Sequence, residues 1–137
     1  MAQDCAAPQA LTVDAFAPYG RVLERNPSGE AFQALFADSS ATCGWRVAIL
    51  EVPPGEIKRV HRHPDSEECF SPLKGKPCIA VARPEAPENI QYFFLDQPVC
   101  IHREVWHEVF SQNSEPAQVF IAENAEISGE EHFLNQQ

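Results

Sequence analysis

Short apolar runs, broken by twelve prolines and by Gly, Asn and Asp, set the pattern of the chain, and at 105–109 His107 alternates with two valines. Successive side chains of an extended chain face opposite ways, so each run reads as a strand with one face toward a core. The predicted strands are 21–23, 45–52, 58–63, 68–71, 78–83, 90–95, 99–102, 105–110 and 118–123, with turn formers in most of the gaps. Helical spacing occurs twice. Thr12 caps 12–16 ahead of Pro18, and in 30–36 the residues Phe32, Leu35 and Phe36 share one face. So many short strands in 137 residues predict one all-β domain over 1–137, a sandwich or jelly roll with one or two short helices near the N-terminus. The polar ends 1–9 and 130–137 read as fraying segments.

Charge narrows the partners. Ten Lys and Arg stand against 20 Asp and Glu, a formal net charge of -10 that repels nucleic acid and anionic membranes. No basic segment followed by an apolar stretch opens the chain, and nowhere do about 18 apolar residues run together. Five cysteines without CxxC or zinc-finger spacing read as reduced thiols, which points to a cytoplasmic protein acting on a small molecule. An open sheet edge in so small a barrel predicts a homodimer.

One segment concentrates ligand chemistry. His61 and His63 are two residues apart, about 6.6 Å along a strand and on the same face, so both imidazoles can converge on one ion. Pro64, Asp65 and Ser66 then turn the chain and bring Glu68 level with them on the next strand. His107 alternates with Val105 and Val109 on an inward face and supplies a fourth ligand. Imidazole and carboxylate donors suit one divalent ion, Mn, Fe, Co, Ni or Zn, with positions left open for substrate. By strand placement Arg46, Lys58 and Lys74 are candidates to bind a substrate carboxylate, and Tyr92 and Trp106 to line its pocket.

Gly55, His61, His63, Glu68 and Gly75 match the spacing G-x5-H-x-H-x4-E-x6-G and so resemble the first motif of the cupins. The resemblance implies a double-stranded β-helix, a jelly-roll barrel. The second cupin motif survives in His107, while Glu104 stands where it has glycine and Ser111 where it has asparagine.

Three blocks narrow this further: Ala15-Phe16-Ala17-Pro18-Tyr19-Gly20, Arg62-His63-Pro64 followed by Phe70-Ser71-Pro72-Leu73-Lys74-Gly75, and His102-Arg103-Glu104-Val105-Trp106-His107. By motif order over roughly 11–123 they resemble the ureidoglycolate lyase family. That resemblance implies splitting of ureidoglycolate into glyoxylate and urea, a step of allantoin and purine catabolism, and it selects His107 again. His61 stands where the family usually has Glu, Glu68 where it has Gln, and Glu51 where it has Arg. Two other expectations fit these departures. One is another cupin metalloenzyme, an oxygenase or isomerase on a small hydroxy or keto acid. The other is a non-catalytic small-molecule-binding cupin.

Overall fold

A computed structural model describes residues 7–38 and 44–134. Helix α1 (Val13–Phe16) is followed by β1 (Gly20–Val22), β2 (Trp45–Val52), β3 (Arg59–Arg62), β4 (Glu68–Lys74), β5 (Pro77–Ala82), β6 (Gln91–Phe94), β7 (Val99–Ile101), β8 (Trp106–Ser111), β9 (Ala117–Asn124) and β10 (Glu130–Phe133). They form two five-stranded sheets, β1-β7-β4-β9-β2 and β10-β3-β8-β5-β6. All pairs between these strands are antiparallel. The all-β jelly roll expected from the apolar pattern is thus the observed architecture.

Alternation decides what lies between the sheets. Val109 on β8, Phe70 on β4, and Ala117, Val119 and Ile121 on β9 turn into one core with Phe16, Ile79, Val81, Phe93, Val99 and Ile101. Near one end of that core the same inward faces carry Glu68 and His107, which are buried. Thr12 caps α1 by accepting the Ala15 N–H at 3.1 Å, and Phe16 is fully buried, which seats the short helix on the barrel.

Two glycines and one glutamate fix the turns beside these strands. Gly75 has φ 78°, and a Cβ there would stand 2.9 Å from Pro116 O, so only glycine fits between β4 and β5. Gly55 has φ 131°. Glu104, where the second cupin motif has glycine, keeps φ 72° and is the only non-glycine among the described residues with a positive φ. The turn adopts the left-handed conformation without glycine, at a cost of about 1–2 kcal/mol for an L side chain.

Strand 45–52 falls as expected, and most other boundaries shift by a residue. β4 runs on to Lys74 because β9 pairs it that far, whereas β7 pairs it only as far as Phe70; with one neighbour gone beyond that point, Pro72 sits where a strand tolerates proline. The expected helix at 30–36 does not form. Arg25 donates to the carbonyls of Glu30 at 2.6 Å and Ala31 at 3.0 Å, acceptors that a helix would need, and Gln33 folds back on Asn26 and Ser28. Phe32 is left 88 % exposed. The expected frayed ends also need correction. Gln9 bridges to Phe93, and Glu130–Phe133 is a strand paired with β3, where Glu130 and Glu131 meet Arg62 and Arg59 at 3.0 and 3.3 Å. Residues 1–6 and 135–137, with Cys5 and Cys43, lie outside the described residues.

Candidate functional site

His63, Glu68 and His107 come together between the sheets, with one ligand atom of each within 4.8 Å of the others. His107 Nε2 lies 3.0 Å and His63 Nε2 3.3 Å from Glu68 Oε1. The other nitrogen of each ring faces a backbone carbonyl: His107 Nδ1 is 3.0 Å from Val105 O, and His63 Nδ1 is 3.0 Å from Ser128 O. A carbonyl oxygen only accepts, so both Nδ1 atoms carry hydrogen. In the neutral rings both Nε2 lone pairs therefore aim at Glu68 Oε1, a buried oxygen without a hydrogen-bond partner. Three acceptors meeting without a donor are reconciled in two ways, by a proton on one Nε2 or by a cation among them.

The electrostatics follow from this crowding. Burial works to raise the Glu68 pKa, but the imidazoles of His107 and His63, which donate to it once an Nε2 carries a proton, outweigh burial and hold the carboxyl well below its usual range. The His63 pKa is raised, chiefly by Glu68, against an opposing effect of burial.

A supporting layer fixes His63. Ser128 donates from its backbone N–H and its hydroxyl to the Asp65 carboxylate at 3.1 and 3.2 Å, which locks the carbonyl that holds His63 Nδ1. The Ser128 N–H also keeps the Asp65 carboxyl below its ordinary pKa. Asn124 Nδ2 donates to Asp65 O at 3.0 Å. Gly129 passes so near that a Cβ there would stand 3.2 Å from His63 Nδ1.

His61 is placed outside this group. It is the register partner of His107, yet its Nε2 lies 3.2 Å from Glu108 Oε2 and its Nδ1 3.9 Å from Glu131 Oε1. β3 ends at Arg62, so His63 is free of the strand's alternation and turns toward Glu68 alone. Of the five candidate substrate residues, Arg46 adjoins the cluster. It is opposed to Glu123 on β9, with Nη2 3.2 Å from Glu123 Oε2. Lys58 and Lys74 are exposed. Trp106 packs with Val60 and Ala82, donates to Pro84 O at 3.1 Å and carries the Arg62 guanidinium over its ring at 4.4 Å. Tyr92 stands edge-on to Phe110 and lines a separate cavity of 260 Å³ beside Gly55 and Ile57.

Glu123 was not anticipated from the sequence. Its side chain is 7 % exposed and hydrogen-bonded to both Glu68 and Arg46; burial first, and the Glu68 charge second, raise its pKa. The signal was present in the alternation of β9, whose inward positions 117, 119 and 121 are buried and apolar and whose next inward position is this carboxylate.

Known proteins bear on the site in three ways. A family model described as Ureidoglycolate lyase matches residues 43–137. The chain is 35 % identical over 117 residues to a ureidoglycolate lyase of Rhizobium etli, covering 71 % of this chain and 70 % of that one. It is 28 % identical to one of Brucella ovis, covering 93 % and 88 %. Among solved structures, the capsular polysaccharide assembling protein CapF of Staphylococcus aureus aligns with a TM-score of 0.55 at 18 % identity, over 70 % of this chain and 30 % of that one, a likeness of fold alone.

Proposed function

From the premise that this chain belongs to the ureidoglycolate lyase family, we propose that it splits ureidoglycolate into glyoxylate and urea with the help of one divalent cation held by His63, Glu68 and His107. The observation that carries the cation is the convergence of two Nε2 lone pairs on the partnerless, buried Glu68 Oε1. Two imidazoles and a carboxylate fit Mn, Fe, Co, Ni or Zn and leave positions for substrate oxygens. When bound, such an ion supplies positive charge where the substrate hydroxyl becomes an alkoxide.

The protein's own groups account for the rest. Arg46, at the rim beside the cluster, receives the substrate carboxylate, and Glu123 sets the direction of its guanidinium. The hydroxyl of the carbinolamine loses its proton, the C–N bond opens as the carbonyl of glyoxylate forms, and the urea nitrogen takes up a proton. Glu123, buried at the rim with a raised pKa, stands where a proton carrier is needed. His61 stays paired with Glu108 of the neighbouring strand β8.

The same reading extends to assembly. β2 is an edge strand of its sheet, with Trp45 76 % and Ile49 63 % exposed, and a second copy of the chain covering that edge would make the homodimer.

The test uses purified protein stripped with a chelator and supplied with racemic ureidoglycolate. Glyoxylate release should fall to the buffer rate on stripping and return with one of the five cations. Full activity in the stripped protein would remove the cation from the reaction, and no release above the buffer rate under any condition would remove the substrate.

A further inference from the structure

Cys69 and Cys100 are directly opposed on the antiparallel strands β4 and β7. Opposed side chains on neighbouring strands share a face with Cβ atoms roughly 4.5–5.5 Å apart, and a disulfide spans about 3.5–4.5 Å, so a local shift of about 1 Å joins such a pair. The two thiols are free and in hydrogen-bond contact with each other. Their access differs. Cys100 is 1 % exposed, whereas Cys69 is half-buried and lines an open cavity of 480 Å³ with Phe36, Trp45 and Asn124. Cys100 Sγ also approaches Glu67 Oε2 at 3.9 Å, which keeps its S–H on this face of the sheet. Cys78, the remaining described cysteine, faces Phe94 and Phe110 in the other sheet.

We propose that Cys69 and Cys100 form a modification site: a disulfide made by hydrogen peroxide and undone by small thiols. Cys69, the accessible partner, attacks one peroxide oxygen; the O–O bond breaks, the sulfur is oxidised to a sulfenic acid, and the second oxygen leaves as water with the thiol proton. Cys100 then attacks the Cys69 sulfur; the S–S bond forms, the S–O bond breaks, and the hydroxyl leaves as water with the Cys100 proton. Two equivalents of a small thiol restore both cysteines by exchange, since cross-strand bridges held at the edge of allowed geometry are readily reduced. The burial of Cys100 shields it from direct oxidation and leaves it free to resolve Cys69. This site stands independently of the lyase reading, because neither sulfur takes part in that chemistry.

The experiment exposes the full-length reduced protein to hydrogen peroxide, blocks the remaining thiols by alkylation and maps the unreduced digest by mass spectrometry. The expected product carries one Cys69–Cys100 linkage and is lighter by two hydrogen atoms before alkylation. Cys5, Cys43 and Cys78 remain alkylated, and dithiothreitol reverses the change. In a Cys100→Ser chain, dimedone should trap Cys69 as the sulfenic acid. An unchanged thiol count, a bridge through Cys5 or Cys43, or Cys69 carried to sulfinic acid while Cys100 stays alkylatable would overturn the proposal. The linkage is mapped on the unsubstituted protein, so it is read whether or not the Cys100→Ser chain folds.

Discussion

Glu68→Gln should move stability and cation affinity in opposite directions. The amide keeps the carboxylate's shape and offers hydrogens where Glu68 Oε1 now meets two Nε2 lone pairs at 3.0 and 3.3 Å. Above the imidazole titration range and without metal, the wild-type oxygen is an unsatisfied buried acceptor, a defect that costs roughly 1–3 kcal/mol. Supplying the donor should recover about that much. For a domain of this size each kcal/mol is worth roughly 4 °C, so the metal-free variant should melt about 4–12 °C higher than wild type near pH 9 in EDTA. At neutral pH with cation at about a hundred times the wild-type Kd, wild type should gain about 2.7 kcal/mol and the variant almost none. Scanning calorimetry with and without cation reads both effects. A metal-free variant that melts below wild type at high pH, yet keeps the full cation shift, would refute the reasoning.

Three further outcomes follow from the same structure. The His63 pKa is raised in the fold, so its contribution to metal-free stability is complete below its unfolded value of 6.5 and is lost as pH rises through the folded value. Calorimetry should therefore show the metal-free melting temperature falling above pH 6.5, while cation affinity rises over the same range as protons leave the ring. Gly129→Ala places a methyl group 3.2 Å from His63 Nδ1 and should weaken cation binding about tenfold by titration calorimetry, the usual scale for disturbing a ligand's outer support. Glu104→Gly relieves the positive φ of 72° at a turn where Arg62 is the ion partner at 3.7 Å. Urea denaturation should show a gain of about 0.5–1 kcal/mol, after the added freedom of the unfolded chain is offset.

Much of the fold was legible because a barrel with one wet and one dry face writes its alternation into the chain. β9 shows it most openly, with Ala117, Val119 and Ile121 buried between half-exposed neighbours, and Gly55 and Gly75 mark turns whose φ values admit little else. β10 was hidden because an exposed edge strand has no buried face to alternate; its pairing with β3 depends on Arg59 and Arg62 across the sheet. The apolar spacing at 30–36 suggested a helix, but the guanidinium of Arg25, five and six residues upstream, claims two of its carbonyls, a side-chain contact that apolar spacing does not reveal.

The site divides in the same way. His63, Glu68 and His107 come together as the first cupin spacing and the later His–Val alternation implied. His61 does not join them, because a two-residue spacing guarantees a shared face only while both residues stay in the strand, and β3 ends between them. Glu123 escaped notice because its importance comes from two strands brought together: Arg46 across on β2 and Glu68 beyond on β4. Neither contact is local in sequence.

The central claim is that His63, Glu68 and His107 hold one divalent cation, and cobalt(II) titration of stripped protein followed by absorption spectroscopy tests it most directly. Visible bands of a nitrogen- and oxygen-ligated ion should saturate at one cobalt per chain and be lost in a folded His107→Ala variant. Bands that saturate at the same stoichiometry and intensity in that variant, or that never appear in wild type, would contradict the account.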